Sequence, residues 1–416
     1  MPLFKLQHKD VTSAIIEFDS NYKNPFIKEI INERHLPLCV QGNSENIRLW
    51  WNKRAVPSSR KDIDIVMDEL DIHDRNEFLI RNLALSVTDS YWLCPIDKNY
   101  QWNEVSFHTN AFPDFSVSTL DSNEIASQDL PGMSTLTPAS SLGGELEKKW
   151  IRKDNSLYLV KGNMPGHSYQ QSLNEVFASK LHEKQNFENY VSYELLKLKK
   201  GRKGCISRCF TTDDIEYVPA WEIMAKYGYG KDSSFFSQYL NNASKEGIDS
   251  KEHEKFLDYM FLSDFIITNV DRHLGNFGLL RDSDSSELIG PAPIFDSGNS
   301  MFYVDLAYMD YHDILNVQIR SLYSSEQKTM ERITDLNLVD ITKLPSTDEV
   351  RKLYSEDPVL ESLIESLVNG YSFKVSMFEM MKAGKKFSQI KRELISYFGS
   401  LPNKDKDDLS NIRHLL

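Results

Sequence analysis

Asp271, Asn276 five positions later, and Asp296, with Gly298 two beyond it, place two carboxylates and an amide at fixed separations in one stretch. An apolar helical pattern ends at Asn269 and gives way to Asp271-Arg272-His273, and a strand-like run from Ile289 to Phe295 leads into Asp296. Such a set suits one chemistry, the placing of a hydroxyl and a divalent metal beside a nucleoside triphosphate. A phosphoryl group in flight needs its charge neutralised and the attacking oxygen held in line. Asp271 would accept or orient the hydroxyl proton. Asn276 would offer an amide oxygen to Mg²⁺, which prefers hard oxygen ligands. Asp296 would bind the metal that bridges the phosphates, and Gly298 would let the chain turn sharply after it.

The elements that must position these groups follow the same order. Ser140, Ser141, Leu142, Gly143 and Gly144 form a small, flexible loop ahead of a hairpin whose second strand, from Leu157, ends at Lys161. A loop of this kind lets backbone N–H groups approach phosphates, and Lys161 is placed to pair with them. A helix is expected from Ser172 to Glu183, with Leu173, Val176, Phe177 and Leu181 on its apolar face. Glu175, near its start, either pairs with Lys161 or simply favours a helix N-terminus. Two alternating runs, Tyr190–Leu195 and Cys205–Phe210, flank a basic turn and read as a second hairpin. In a kinase-like arrangement the crossing backbone from Arg208 to Phe210 would read adenine.

Downstream, Phe256, Leu257, Met260, Phe261 and Phe265 make a helical face leading into the Asp271 loop. Asp264 within it either bonds the loop backbone or is an exposed helix carboxylate. Asp357 and Pro358 have helix-start character, and Gly370 is expected to close the helix that follows. In the first third, Phe26–Leu36 and Ile63–Leu70 have helical spacing, and Trp50, Trp51, Trp92 and Trp102 are expected to pack a local core.

At 416 residues the chain fits more than one core. A net charge of −13 with no long basic tract argues against nucleic acid as a partner, and no apolar run approaches the length of a membrane span. No secretory leader is evident at the N-terminus, and Cys39, Cys94, Cys205 and Cys209 form no metal pattern, so reduced thiols in a cytoplasmic protein are expected. The expected division is an accessory region over 1–120, a β-rich lobe over 134–215 and a helical lobe over 216–416. A loop or linker is expected between Ser118 and Pro138.

The order of the Ser140–Gly144 loop, Lys161, Glu175, the strand pair, the loop from Asn269 with Asp271-Arg272-His273 and Asn276, and the Asp296 segment resembles the HipA-like kinases. That resemblance covers roughly residues 134 to 400. It implies a bilobal, protein-kinase-like α+β fold and ATP- and Mg²⁺-dependent phosphorylation of serine or threonine hydroxyls. By the same resemblance Asp271 is the catalytic aspartate, Asn276 and Asp296 are the metal ligands, and Lys161 is the phosphate-contacting lysine. Arg208 and Phe210 supply the adenine-contacting backbone. Family members are autophosphorylated on a serine in the loop over ATP, where Ser140 and Ser141 lie, and an antitoxin or other regulatory partner and toxin-like growth control are implied at family level. His273 stands in a pattern shared with phosphatidylinositol kinases, where the histidine is close to the transferred phosphate; it either moves a proton there or braces the loop. A kinase of a small molecule or lipid headgroup, and a catalytically inactive nucleotide-binding scaffold, are the competing readings. The retained Lys161, Asp271, Asn276 and Asp296 argue against the scaffold.

Overall fold

A computed structural model describes residues 1–57, 62–69, 71–112, 120–122, 136–143, 146–163, 168–228, 230, 234–303 and 310–400. Most of the expected linker between Ser118 and Pro138, and Gly144 with it, lies outside them.

In chain order the first region holds β1 (Leu3–His8), β2 (Val11–Glu17), β3 (Phe26–Ile30), α1 (Ile47–Arg54), α2 (Asp62–Glu69), α3 (Arg75–Arg81), β4 (Tyr91–Pro95) and α4 (Trp102–Val105). Its antiparallel sheet runs β3-β2-β1-β4. Trp50, Trp51, Trp92 and Trp102 are buried, as the sequence suggests. The helix expected over Phe26–Leu36 is absent: Phe26–Ile30 is an edge strand on β2, followed by a single tight turn at Glu33–His35. Phe26, Ile30 and Ile31 are exposed, so the helical-looking spacing there did not report a buried face.

Next come β5 (Lys148–Lys153), β6 (Ser156–Lys161), α5 (Gln170–Lys184), β7 (Tyr193–Lys197) and β8 (Lys203–Arg208), with sheet order β5-β6-β8-β7 and α5 packed on β7 and β8. Both expected hairpins are present. The rest is mainly helical: β9 (Ile215–Pro219), α6 (Ala220–Tyr227), α7 (Phe235–Lys245), α8 (Ser250–Ile267), β10 (Gly278–Asp282), β11 (Leu288–Pro291), α9 (Tyr311–Leu315), α10 (Glu326–Arg332), α11 (Thr347–Tyr354), α12 (Ile364–Lys382) and α13 (Phe387–Ser400). The expected boundary between residues 215 and 216 falls after the first residue of β9, which pairs with β10. A small β-rich lobe beside a larger helical one is the bilobal, kinase-like α+β arrangement anticipated above.

Gly370 does not end a helix. It is buried inside α12, because the apolar face continues through Tyr371, Phe373 and Met377, and that burial outweighs the roughly 1 kcal/mol an internal glycine costs. Asp357 caps the turn that precedes α12, accepting from the Val359 N–H. Gly278 is fixed by close approach, since a Cβ there would lie 2.2 Å from the Val218 carbonyl oxygen.

The first region grips the segment between the lobes. His8 Nε2 lies 2.8 Å from Glu216 Oε1, which also accepts from the Ser90 N–H, and Arg281 pairs with the other Glu216 oxygen. Asp213 accepts from Trp102 Nε1 and Ser106 Oγ, and Thr211 donates to the Val87 carbonyl. Burial would raise the Glu216 carboxyl, but Arg281 and His8 outweigh it and hold the group well below the usual carboxylate range. Among the described residues no helix is long and apolar enough to cross a membrane, and the four cysteines are free thiols.

Two buried histidines, His182 on α5 and His253 on α8, give the fold a pH dependence. His182 contacts Tyr259 Oη at 2.9 Å and His253 contacts Tyr239 Oη at 3.3 Å. Burial pushes their pKa values down to about 3 and about 4. The unfolded chain therefore binds protons that the folded one refuses. Stability is fully present above the unfolded value near 6.5 and is lost as pH falls toward 4 and below, by on the order of 3 kcal/mol or more per histidine. Urea midpoints should drop steadily from pH 7 to pH 4.5, and less steeply in a His253→Phe variant; a flat profile would contradict this.

Candidate active site

The chain reaches the site through the end of α8. Asp249 caps its start by accepting from the Glu252 N–H, and its last eleven residues, from Leu257, are buried. Thr268 closes it in the left-handed region at φ +53, an uncommon conformation for a β-branched residue. Asn269 then turns back, with its N–H on the Asp264 carbonyl and its side-chain amide on Asp264 Oδ1, and its Oδ1 accepts from the Asp271 N–H at 3.3 Å.

Arg272 is the hub of the loop and is fully buried. Its guanidinium pairs with both oxygens of Asp264 at 2.9 Å, and also donates to the carbonyls of Asn276 and Phe295 and to Ser297 Oγ. One side chain thus ties α8, the Asp271 loop and the Asp296 segment together. Asp264 neither bonds the loop backbone with its carboxylate nor faces solvent; it is the counter-ion of Arg272.

Asn276 donates through Nδ2 to the Asp271 carbonyl at 2.9 Å, which leaves Oδ1 as the atom to offer a metal. Asp271 Oδ2 accepts from Asn299 Nδ2 at 3.1 Å. Its Oδ1 is shielded from solvent and receives no hydrogen bond from the described residues, although Arg320 Nη1 lies 3.3 Å away. His273 Nδ1 accepts from the Gly275 N–H at 3.0 Å, the bracing geometry. Burial lowers its pKa against the opposing pull of Asp271, so the ring is neutral at neutral pH. Gly275 is needed there, because a Cβ would fall 2.9 Å from the His273 ring.

Lys161, Glu175 and Asp296 meet as expected. Lys161 Nζ lies 2.6 Å from Glu175 Oε1 and 2.7 Å from Asp296 Oδ1, and its side chain is only 3% exposed. Burial opposes the ammonium charge, yet Asp296 and Glu175 hold its pKa well above the ordinary lysine value. Burial likewise opposes the Asp296 charge, but Lys161 and then Lys148 outweigh it and keep the carboxyl well below its usual range. Glu175 goes the other way, raised by burial despite Lys161, since one ammonium serves two carboxylates. The triad carries one surplus negative charge in a buried setting, which a cation on Asp296 would offset. One carboxylate and one amide oxygen, completed by substrate phosphates, is the kind of ligand set Mg²⁺ takes.

The sharp turn after Asp296 belongs to Asp296 itself, which sits at φ +59. Gly298 is not in the left-handed region, and a Cβ there would meet only ordinary contacts at 3.5 Å, so its expected role is corrected. The segment that follows is fastened to one face of α5. Ser297 N–H donates to Glu175 Oε2, Asn174 Nδ2 to the carbonyls of Gly298 and Ser300, Gln171 to Asn299 Oδ1, and Gln170 to the Met301 carbonyl.

The loop expected to cover the phosphates is engaged elsewhere. Ser140 is fully buried with its hydroxyl on the Thr137 carbonyl, and Ser141 donates to the Leu85 carbonyl of the first region. Gly143 contributes its carbonyl to Lys148 Nζ at 3.4 Å. Arg208, at the exposed end of β8, contacts Ser156 Oγ. The Phe210 ring packs with Tyr217 and with Phe295, the residue before Asp296. Lys148 was not singled out from the sequence. It stands directly opposite Lys161 in the β5–β6 register, and opposite residues of antiparallel strands share a face, so its positional signal was the hairpin itself.

No protein-family model matches the chain. It is 28% identical over 176 residues to the serine/threonine-protein kinase CtkA of Helicobacter pylori, a match that covers 40% of this chain and 54% of that relative's length. The crystal structure of CtkA superposes with a TM-score of 0.45 at 19% identity, over 61% of this chain and 96% of that one. HipA of Shewanella oneidensis, solved with HipB and operator DNA, superposes with a TM-score of 0.49 at 14% identity, over 99% and 94%. Over those 176 residues, then, the chain is similar in sequence to a serine/threonine-protein kinase, in keeping with the HipA-like resemblance of its motifs.

Proposed function

We propose that this chain is a kinase that transfers the γ-phosphoryl group of ATP to a serine or threonine hydroxyl of a protein. The observation that supports this most is Asp271 Oδ1, a carboxylate oxygen shielded from water and receiving no hydrogen bond from the described residues, in a loop that Asn276 bonds directly and Arg272 ties to the Asp296 segment. A buried acceptor without a donor is costly, and the acceptor hydroxyl is the donor that would satisfy it. Asn276 and Asp296 would hold Mg²⁺, which supplies charge neutralisation on the phosphates when bound. Lys161, locked by Glu175 and Asp296, fixes where that carboxylate points and presents an ammonium beside it. Lys148 adds a second positive charge on the same face. His273, with Nδ1 occupied by the Gly275 N–H, keeps the loop in shape.

The acceptor is read as another molecule, since Ser140 is buried and the Ser141 hydroxyl is bonded. Purified protein incubated with Mg²⁺, γ-labelled ATP and a cell extract should label a discrete protein on serine or threonine. Label appearing only in lipid or small molecules would move the acceptor class. Tight Mg-ATP binding with no transfer would favour the scaffold.

A further inference from the structure

The chain beyond the Asp296 segment returns to the catalytic loop at Arg320. The Arg320 N–H donates to the Val270 carbonyl at 2.8 Å, next door to Asp271. A bridge between Gln318 and Ser325 and a bond from the Ile319 N–H to the Ser324 carbonyl close the loop around it. Leu322 is buried, and the neighbouring Tyr323 ring stacks on Phe236. The backbone is therefore held on several sides. The side chain is not: it is 74% exposed, with Nη1 3.3 Å from Asp271 Oδ1 yet making no hydrogen bond to it.

Stability does not account for this placement, because an exposed ion pair contributes about 0–1 kcal/mol. A fixed backbone that carries a solvent-facing guanidinium to Asp271 Oδ1, which no described residue hydrogen-bonds, suits a group that waits for a ligand. We propose that Arg320 is the cation that meets the phosphoryl group in transit, an inference that rests on the kinase reading. In the transfer the acceptor oxygen bonds to the γ-phosphorus, the bond from that phosphorus to the β–γ bridging oxygen breaks, and ADP leaves with the bridging oxygen. The acceptor proton passes to Asp271. As Asp271 takes that proton its hold on the guanidinium weakens, while negative charge on the three equatorial phosphoryl oxygens persists. A planar fork of N–H donors fits those oxygens better than an ammonium does. Nothing beyond ATP and the acceptor is consumed.

Arg320→Ala should lower kcat at least about 1000-fold, the lower end of what a transition-state arginine contributes, with KM for ATP changed by less than about threefold. Arg320→Lys should recover part of the loss, and free guanidinium should partly restore the alanine variant, since the site is open to solvent. A merely structural residue would show neither rescue. Thermal melting of both variants should match the wild type. An alanine variant within about threefold of wild-type kcat, faster than wild type, or insensitive to both rescues would overturn the inference. No transfer by the wild type at any acceptor would overturn the kinase reading itself, and this inference with it.

Discussion

Asp271→Asn is expected to cut phosphoryl transfer by about 10²–10⁴-fold, the usual contribution of a positioned general base, while Mg-ATP binding stays within a few-fold of the wild type. The amide is nearly isosteric, so the contacts made by the Asp271 backbone, its carbonyl to Asn276 and its N–H to Asn269, are kept. What is lost is the charge on Oδ1 and its ability to take a proton. The assay is single-turnover transfer from labelled ATP alongside calorimetric nucleotide binding. Retained transfer with intact binding would show that Asp271 has no chemical role. Loss of both together would show a folding defect rather than a catalytic one.

Arg272→Met should be the most destabilising single change in the loop. It removes the partner of a buried carboxylate, and breaking a buried ion pair from one side costs about 3–5 kcal/mol. The same change strips donors from the Asn276 and Phe295 carbonyls and from Ser297. Both proposed metal-holding residues lie beside those groups, so residual activity should fall further than the stability loss alone explains. A double variant with Asp264→Leu should be less destabilised than Arg272→Met plus Asp264→Leu added separately, because it leaves no charge unpaired. Urea unfolding of the four proteins measures this. Strict additivity would mean that the pair is not coupled.

The pairing of Asp271 with Asn276 was legible because the short loop between α8 and β10 leaves little freedom, and Asp296 follows because the β10–β11 hairpin returns the chain toward that loop. Lys161 and Glu175 were legible for a related reason: a strand end and the first turns of the next helix face each other across the hairpin sheet. Arg272 was visible as part of the pattern but not as its hub, since nothing local says that a charged residue will be fully buried. The α5 face that holds the Asp296 segment was missed because Gln170, Gln171 and Asn174 look like a solvent face; their partners are backbone carbonyls and the Asn299 side-chain oxygen, more than 120 residues away. Ser140 and Ser141 were misplaced for the opposite reason. Small flexible residues suggested a phosphate loop, whereas the first region, expected only as an accessory region, supplies the carbonyl that Ser141 bonds. At Phe26–Ile30 tertiary pairing with β2 overrode helical spacing.

The account stands on Asp271, Asn276 and Asp296 converging on a metal-bound nucleotide, and a crystal structure with Mn²⁺ and a non-hydrolysable ATP analogue tests that most directly. Anomalous scattering should place the metal on Asn276 Oδ1 and an Asp296 carboxylate oxygen, with the terminal phosphate facing Asp271. A metal and nucleotide bound elsewhere, or a nucleotide whose phosphates point away from these three side chains, would contradict it.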